Sequence, residues 1–250
     1  MDRLKNNVLR LTSHGERQVG SEGHRAAREY LIDRMTELDM SPYRDDSYEL
    51  PYGGSGTEFV NLIGRIQGNT KDRDPILLGA HYDTCGPIPG ADDNASAMAI
   101  VLAVVEKLRS VSLDRNLIIA FFDAEEPPYF MTDAMGSIYF FSKQRTEEFG
   151  CALILDLVGH DVPIAGFEDL LFITGMESHS ALERDQINGR EQQSQNRSRP
   201  EFICWRHERP SHIQSKRCSL SFSFLRQVGA LPHAHGHPGK IELRKDGGHR

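Results

Sequence analysis

PILLGAHYDTCGPIPGADDNASAMAIVLAVVEKLRSVSLDRNLIIAFFDAEE, residues 75–126, decides the fold. PILLGAHYD (75–83) is an apolar run of strand length that ends on His81, Tyr82 and Asp83. Gly86, Pro87, Pro89 and Gly90 then punctuate a loop. From Ala95 to about Arg109, the positions Ala97, Ile100, Val101, Val104, Val105 and Leu108 predict a helix with a wide apolar face. NLIIAFFDAEE (116–126) places six apolar residues in a row before its acids, which reads as a buried strand.

The flanks continue the pattern. Upstream, Ala27, Leu31, Met35 and Leu38 lie at three- and four-residue steps and predict an amphipathic helix from Gly23 to Met40. Gly53 to Gly56 marks a loop, and FVNLIGRI (59–66) is another strand. Downstream, a helix is expected from Ser137 to about Lys143, with strands in CALILDLVG (151–159) and LLFITG (170–175). Strands alternating with helices predict an α/β fold whose sheet is covered on both faces.

Composition narrows the functional classes. The chain has 250 residues, of which 38% are hydrophobic and 26% charged, as in ordinary globular proteins. No run approaches the ~20 apolar residues of a membrane helix, and Met1 to Asn7 has no apolar core of a secretory signal, so a cytoplasmic protein without membrane contact is expected. Cys85, Cys151, Cys204 and Cys218 lack CxxC spacing and predict buried or free thiols. The net charge of −7 argues against a nucleic-acid partner, but it is unevenly distributed. Residues 181–250 carry +6 and residues 1–180 carry −13. The tail is also poorer in hydrophobic residues, and its polar runs predict little order after about Ala181.

Acidic residues gather where a site would form. His81-Tyr82-Asp83, Asp123-Ala124-Glu125-Glu126 and Asp156 all fall at the carboxyl ends of predicted strands, where open α/β sheets bind ligands. Gly90-Ala91-Asp92-Asp93-Asn94 lies in the loop entering the central helix. Carboxylates gathered in one crevice repel one another unless cations neutralise them. One imidazole with several carboxylates suits zinc or manganese. Taken singly, His81 reads as a strand-end histidine, Asp92-Asp93 as a helix cap and Glu125-Glu126 as an exposed strand end. Order and spacing together make the case for a site.

Quoted in order, GSEGHRAAREYL (20–31), NLIG (61–64), LLGAHYDT (77–84), PGADDNASA (89–97), FFDAEE (121–126), GS (136–137) and ILDLVG (154–159) resemble the co-catalytic dizinc aminopeptidase family of peptidase clan MH, which also contains the glutaminyl cyclases. The resemblance covers roughly residues 10–183. It implies a three-layer α/β/α sandwich around a mostly parallel mixed sheet, and peptide substrates with a free N-terminus. It further implies two Zn2+ ions: His81 and Asp156 on the first, Glu126 on the second, Asp93 bridging, Glu125 as general base and Asp83 hydrogen-bonded to His81. Asp92 is the weaker bridge candidate. Two zincs ~3.5–4 Å apart activate a water and polarise the scissile carbonyl, and their ligands must be deprotonated, so activity is expected to fall in acid. Met131 to Met135 reads equally as a pocket wall or a surface loop, and Cys85 as a thiol near the metals or a bystander.

One family ligand has no counterpart, a histidine in a C-terminal Y-H-T-P-x-D-T type segment. Pro232 to Pro238 holds a histidine cluster of different spacing. Read one nucleotide later, codons for Leu231 to His249 can spell YHTPTDTREKLNYEKMAAI, those for Arg217 to Ala230 GVPYLFLSCGRWEH, and those for Trp205 to Pro210 GDMSDH. These phrases resemble the family's own, in its own order. The expectation is therefore a zinc peptidase domain over 1–183 and an out-of-frame, poorly structured tail over 184–250, with the frame lost between about Glu183 and Cys204. The fold would then be incomplete at its C-terminal end, with an exposed, aggregation-prone sheet edge. The second zinc would be held firmly by Glu126 and Asp93 alone, and activity would be impaired. A glutaminyl cyclase and a non-catalytic interaction module are the alternative readings.

Overall fold

A computed structural model describes residues 2–53, 56–70, 72–160, 171–174, 202–205 and 219–221. In chain order its elements are α1 (Asp2–Leu11), α2 (Glu22–Glu37), β1 (Ser41–Pro42), β2 (Glu49–Gly53), β3 (Glu58–Ile66), β4 (Ile76–His81), an irregular helical turn (Ala91–Ser96), α3 (Ala97–Leu108), β5 (Leu117–Phe122), α4 (Gly136–Tyr139, continuing irregularly through Phe140–Gln144), β6 (Cys151–Ile154), β7 (Leu171–Thr174), β8 (Phe202–Trp205) and β9 (Ser219–Ser221).

These strands form one mixed sheet in the order β1-β3-β5-β4-β6-β9-β7-β8, with β2 also paired to β3. Its centre is parallel: His81 of β4 stands opposite Phe122 of β5, and Gly79 opposite Ile154 of β6. β3 runs antiparallel to β5, β1 and β2. The parallel register brings the carboxyl ends of β4, β5 and β6 to one edge, so their acidic termini converge.

Both faces of the sheet are buried at its centre. Successive strand side chains point to opposite faces, and all six β5 residues are nonetheless buried. Leu117, Ile119 and Phe121 pack with Leu31, Met35, Val101 and Val105 from α2 and α3. Ile118, Ala120 and Phe122 pack with Phe140 and Phe149 on the other face. This continuous apolar strand is the pattern of a sheet covered on both sides. α2 starts at an N-cap in which the Ser21 hydroxyl accepts from the His24 N–H.

The elements depart from expectation in informative places. α3 begins at Ala97, because Asp93 and Asn94 leave helical φ/ψ in the preceding turn. Its buried side includes Met98, Ala99 and Leu102, while Ile100, Val104 and Leu108 are only half-buried. The face is wide because α3 packs against α1 as well as β4. α1, β1 and β2 were not expected at all. In the tail, β8 and β9 are strands where little order was foreseen. β6 pairs in parallel with β9, Ala152 to Ser219 and Ile154 to Ser221. The proposed boundary at 183/184, the histidines of Pro232 to Pro238 and most of the residues behind the frame reading lie outside the described residues. Among the described residues no helix is long and apolar enough to cross a membrane.

Candidate metal centre

Strand termination positions the site. β4 stops at His81, whose ring is buried, and the chain turns through buried Tyr82, Asp83 and Thr84. β5 stops at Phe122, and Ala124 takes a positive φ of 53° that redirects the chain toward Glu125 and Glu126. Asp83 joins the two ends. Its carboxylate accepts the N–H of Glu125 at 3.0 Å and of Glu126 at 2.9 Å, and its Oδ1 lies 3.3 Å from His81 Nδ1. That last contact fixes the ring so that Nε2 faces the other acids.

Around Nε2 the carboxylates converge. Asp93 Oδ1 lies at 3.1 Å, Asp156 Oδ1 at 3.5 Å and Glu125 Oε2 at 3.8 Å. His81, Asp93 and Glu126 each offer a ligand atom within 4.8 Å of the others, and these three form the candidate metal cluster among the described residues. The six residues the sequence nominated therefore come together: His81, Asp83, Asp93, Glu125, Glu126 and Asp156.

Two acids of the nominated clusters do other work. Asp92 accepts the Gly159 N–H at 2.7 Å and pairs with His160 Nδ1 at 2.5 Å, tying the loop after β6 to the turn that carries Asp93. Asp123 turns into the protein. It accepts the N–H of Val60 and of Ala124, each at 2.8 Å, and contacts His24 Nε2 at 2.8 Å. The Asp123 N–H donates to Asn61 Oδ1, and Asn61 Nδ2 donates to Gly136 O and to Gln144 Oε1. Gly136 is required there, since a Cβ would sit 2.3 Å from Asp123 O and 2.4 Å from Asn61 Oδ1.

Electrostatics report a site that wants a cation. Burial raises both Glu125 and Glu126 to about 7, with Asp156, Asp83 and Asp93 adding to Glu125 and Asp93 chief among the carboxylates acting on Glu126. Burial works against a charged His81, but Asp156, Asp83 and Asp93 outweigh it and hold the ring well above its ordinary value. Burial likewise raises Asp83, and His81 with the N–H groups of Glu126 and Glu125 brings it below the usual carboxylate range. His81 Nε2 and Asp156 Oδ1 are both buried and make no hydrogen bond of good geometry. Such atoms are costly unless a ligand completes them. One nitrogen and several oxygens facing a shared space fit zinc.

Sequence reasoning missed Arg17 and His24, which lie N-terminal to the metal-ligand motifs. His24 is buried, stacked on Tyr82 at a centroid distance of 4.8 Å. His24 falls within the quoted GSEGHRAAREYL stretch, at a position of α2 that the apolar period assigns to the core side, but no role was read for it. Cys85 is a half-buried free thiol, and Phe130 and Met131 are 52% and 71% exposed beside the Glu125-Glu126 loop.

Known proteins share this arrangement of sequence and fold. The profile of peptidase family M28 matches residues 61–206. Leucine aminopeptidase 1 of Trichoderma harzianum is 25% identical over 114 residues, which are 43% of this chain and 28% of that one. A glutaminyl cyclase of Tannerella forsythia superposes with a TM-score of 0.62 at 20% identity, covering 88% of this chain and 83% of its own. A Zn-dependent exopeptidase of Parabacteroides distasonis gives 0.59 at 20% identity, covering 81% and 76%. The matches span between 15% and 28% of the length of the curated relatives.

Proposed function

The chain belongs to peptidase family M28, and from that premise we propose that it is a zinc aminopeptidase, which removes N-terminal residues from peptides at the centre around His81. The observation that carries this reading is the convergence of Asp93, Asp156 and Glu126 on the buried His81 Nε2, where His81 Nε2 and Asp156 Oδ1 are buried without a hydrogen bond of good geometry. His81 and Asp156 would hold one zinc, Glu126 a second, and Asp93 would bridge them. Zinc bound there supplies Lewis acidity toward a water and toward the scissile carbonyl.

The protein's own groups do the rest. Glu125 Oε2 lies 3.8 Å from His81 Nε2, beside the nominated ligands, where its carboxylate would take a proton from water and return it to the leaving amine. Asp83 holds the His81 ring in the tautomer that leaves Nε2 free to ligate.

The tail reading belongs with this proposal. With the family's C-terminal histidine out of frame, the second metal rests on Glu126 and Asp93, and turnover is impaired relative to a frame-restored chain. Sequencing the underlying DNA tests this directly.

The fold is shared with a glutaminyl cyclase, which names the competing reaction. Aminoacyl-p-nitroanilides and N-terminal glutaminyl peptides, offered to the zinc-loaded protein, separate the two. Release of nitroaniline, suppressed by a chelator, supports the peptidase. Ammonia release from the glutaminyl peptides without hydrolysis contradicts it.

A further inference from the structure

Arg17 lies between α1 and α2, far in sequence from the site, and it is fully buried. Its guanidinium donates to three backbone carbonyls: Nε to Tyr82 O at 2.8 Å, Nη2 to Gly90 O at 3.1 Å, and Nη1 to Pro89 O. Its backbone joins the same segment, with the Arg17 N–H donating to Thr84 Oγ1 at 2.8 Å and the Thr84 N–H donating to Arg17 O at 3.2 Å. The acceptors come from both ends of one loop. Tyr82 follows the metal-facing His81, and Pro89-Gly90 lies just before Asp93. The guanidinium thus ties together the neck of the loop that carries one nominated ligand at each end.

We propose that Arg17 is a positioning residue for the metal centre, setting Asp93 against His81 by clamping the loop from Tyr82 to Gly90. This rests on the metal-site reading given above and extends it to a residue outside the site.

Three features favour the clamp over generic packing. A planar fork with several fixed N–H directions can serve three carbonyls at once, which an ammonium cannot do in the same geometry. Gly90 adopts a left-handed conformation (φ 58°, ψ 55°), and a Cβ there would meet Asp93 O at 2.2 Å and Arg17 Nη2 at 3.0 Å. Clamp, glycine and ligand are therefore packed without slack. Finally, Arg17 remains a cation. Burial lowers its pKa to about 10, and the charges of Asp83 and Asp93 oppose that fall, so it is charged at neutral pH and faces the very carboxylates that crowd the site.

The test compares zinc affinity, by chelator competition, and the Co2+ absorption spectrum in the full chain and its variants. Leu31→Ala, a buried α2 change away from the loop, is the control for lost stability. Arg17→Lys is expected to fold and to bind zinc at least about tenfold more weakly, the range seen when groups orienting metal ligands are altered. Its Co2+ bands are expected to change, while Leu31→Ala binds zinc as wild type does with an unchanged spectrum. Unchanged affinity and spectrum in Arg17→Lys, or an equal loss in Leu31→Ala, overturns the clamp. Where Arg17→Lys does not fold, Thr84→Val keeps the guanidinium and releases one tie: weaker zinc binding supports the clamp and unchanged binding overturns it. Failure of the wild-type chain to bind zinc overturns the metal-site reading, and the clamp with it. Zinc binding in wild type with no effect of these substitutions overturns the clamp alone.

Discussion

Glu125 and Glu126 differ by one position and are assigned different work, and their placement explains why. Both N–H groups are pinned by Asp83, while Glu125 Oε2 lies 3.8 Å from His81 Nε2 and a Glu126 carboxylate oxygen falls in the cluster with His81 and Asp93. Replacing Glu125 with Gln keeps the shape and removes the base, so kcat is expected to fall by about a hundred- to ten-thousandfold while zinc stays bound. Metal analysis beside steady-state kinetics checks both halves of that statement. The two raised carboxyls also make the metal-free protein sensitive to pH in a defined direction. Their folded pKa values, about 7, exceed the unfolded value of 4.5, so the folded state holds more protons and loses stability as pH rises between those limits. His81, raised by its carboxylate neighbours, adds to that loss as pH climbs through its own range, whereas Asp83, lowered, weakens the fold only in acid. The melting temperature of chelator-treated protein is expected to drop from pH 5 to pH 7, and zinc is expected to reverse the drop with proton release. A flat profile, or zinc binding without proton release, contradicts the assignment. The clustering of the nominated residues was legible in the sequence because each sits at a strand end or in a glycine-rich turn, where hydrophobic runs stop at acids. Arg17 was not, because a buried arginine satisfied by backbone carbonyls leaves no spacing signature. Asp123 was legible as an acid and not as an inward-facing one, since only tertiary structure shows that Val60 and His24 meet it.

At the scale of elements, a buried polar network holds the end of β5. Asp123, Asn61, Gln144 and His24 are all buried, and Gln144 reaches across to donate to Leu50 O at 2.9 Å. Asp123→Ala leaves the Val60 and Ala124 N–H groups and the His24 ring without their acceptor. A loss of about 2–4 kcal/mol in denaturant unfolding is expected, since stranded buried donors carry their full desolvation cost. An exposed acid such as Asp72→Ala should change stability by less than about 0.5 kcal/mol, and similar effects at both positions would contradict the network. The strands β3, β4 and β5 and the helices α2 and α3 were readable from periodicity, because their apolar residues answer to a single burial direction or to two covered faces. β1 and β2 were not. β1 is two residues long and β2 contains Pro51, and both are strands only because β3 offers an edge to pair with. α1 carried Leu4, Val8 and Leu11 at helical steps, but Leu9 is exposed between them and the stripe is narrow.

The whole molecule combines a domain whose acidic excess includes its nominated ligands with a basic tail of different composition. β9, Ser219–Ser221 of the tail, pairs with β6 at the edge of the domain. The ligand-supplying role is the part that the frame reading says is missing. Restoring the frame is therefore expected to raise peptidase turnover and tighten the second metal more than it changes the first, which zinc titration of both chains measures. The charge distribution changes in meaning accordingly: −13 belongs to residues 1–180, where the carboxylates cluster around one histidine, and +6 to residues 181–250. The central claim is that His81, Asp93, Glu126 and Asp156 form a zinc centre, and it is tested most directly by calorimetric titration of Zn2+ into metal-free wild type and His81→Ala. The account predicts tight binding with proton release in wild type and its loss in a folded His81→Ala. Equal binding by the two proteins, or none by the wild type, would contradict it.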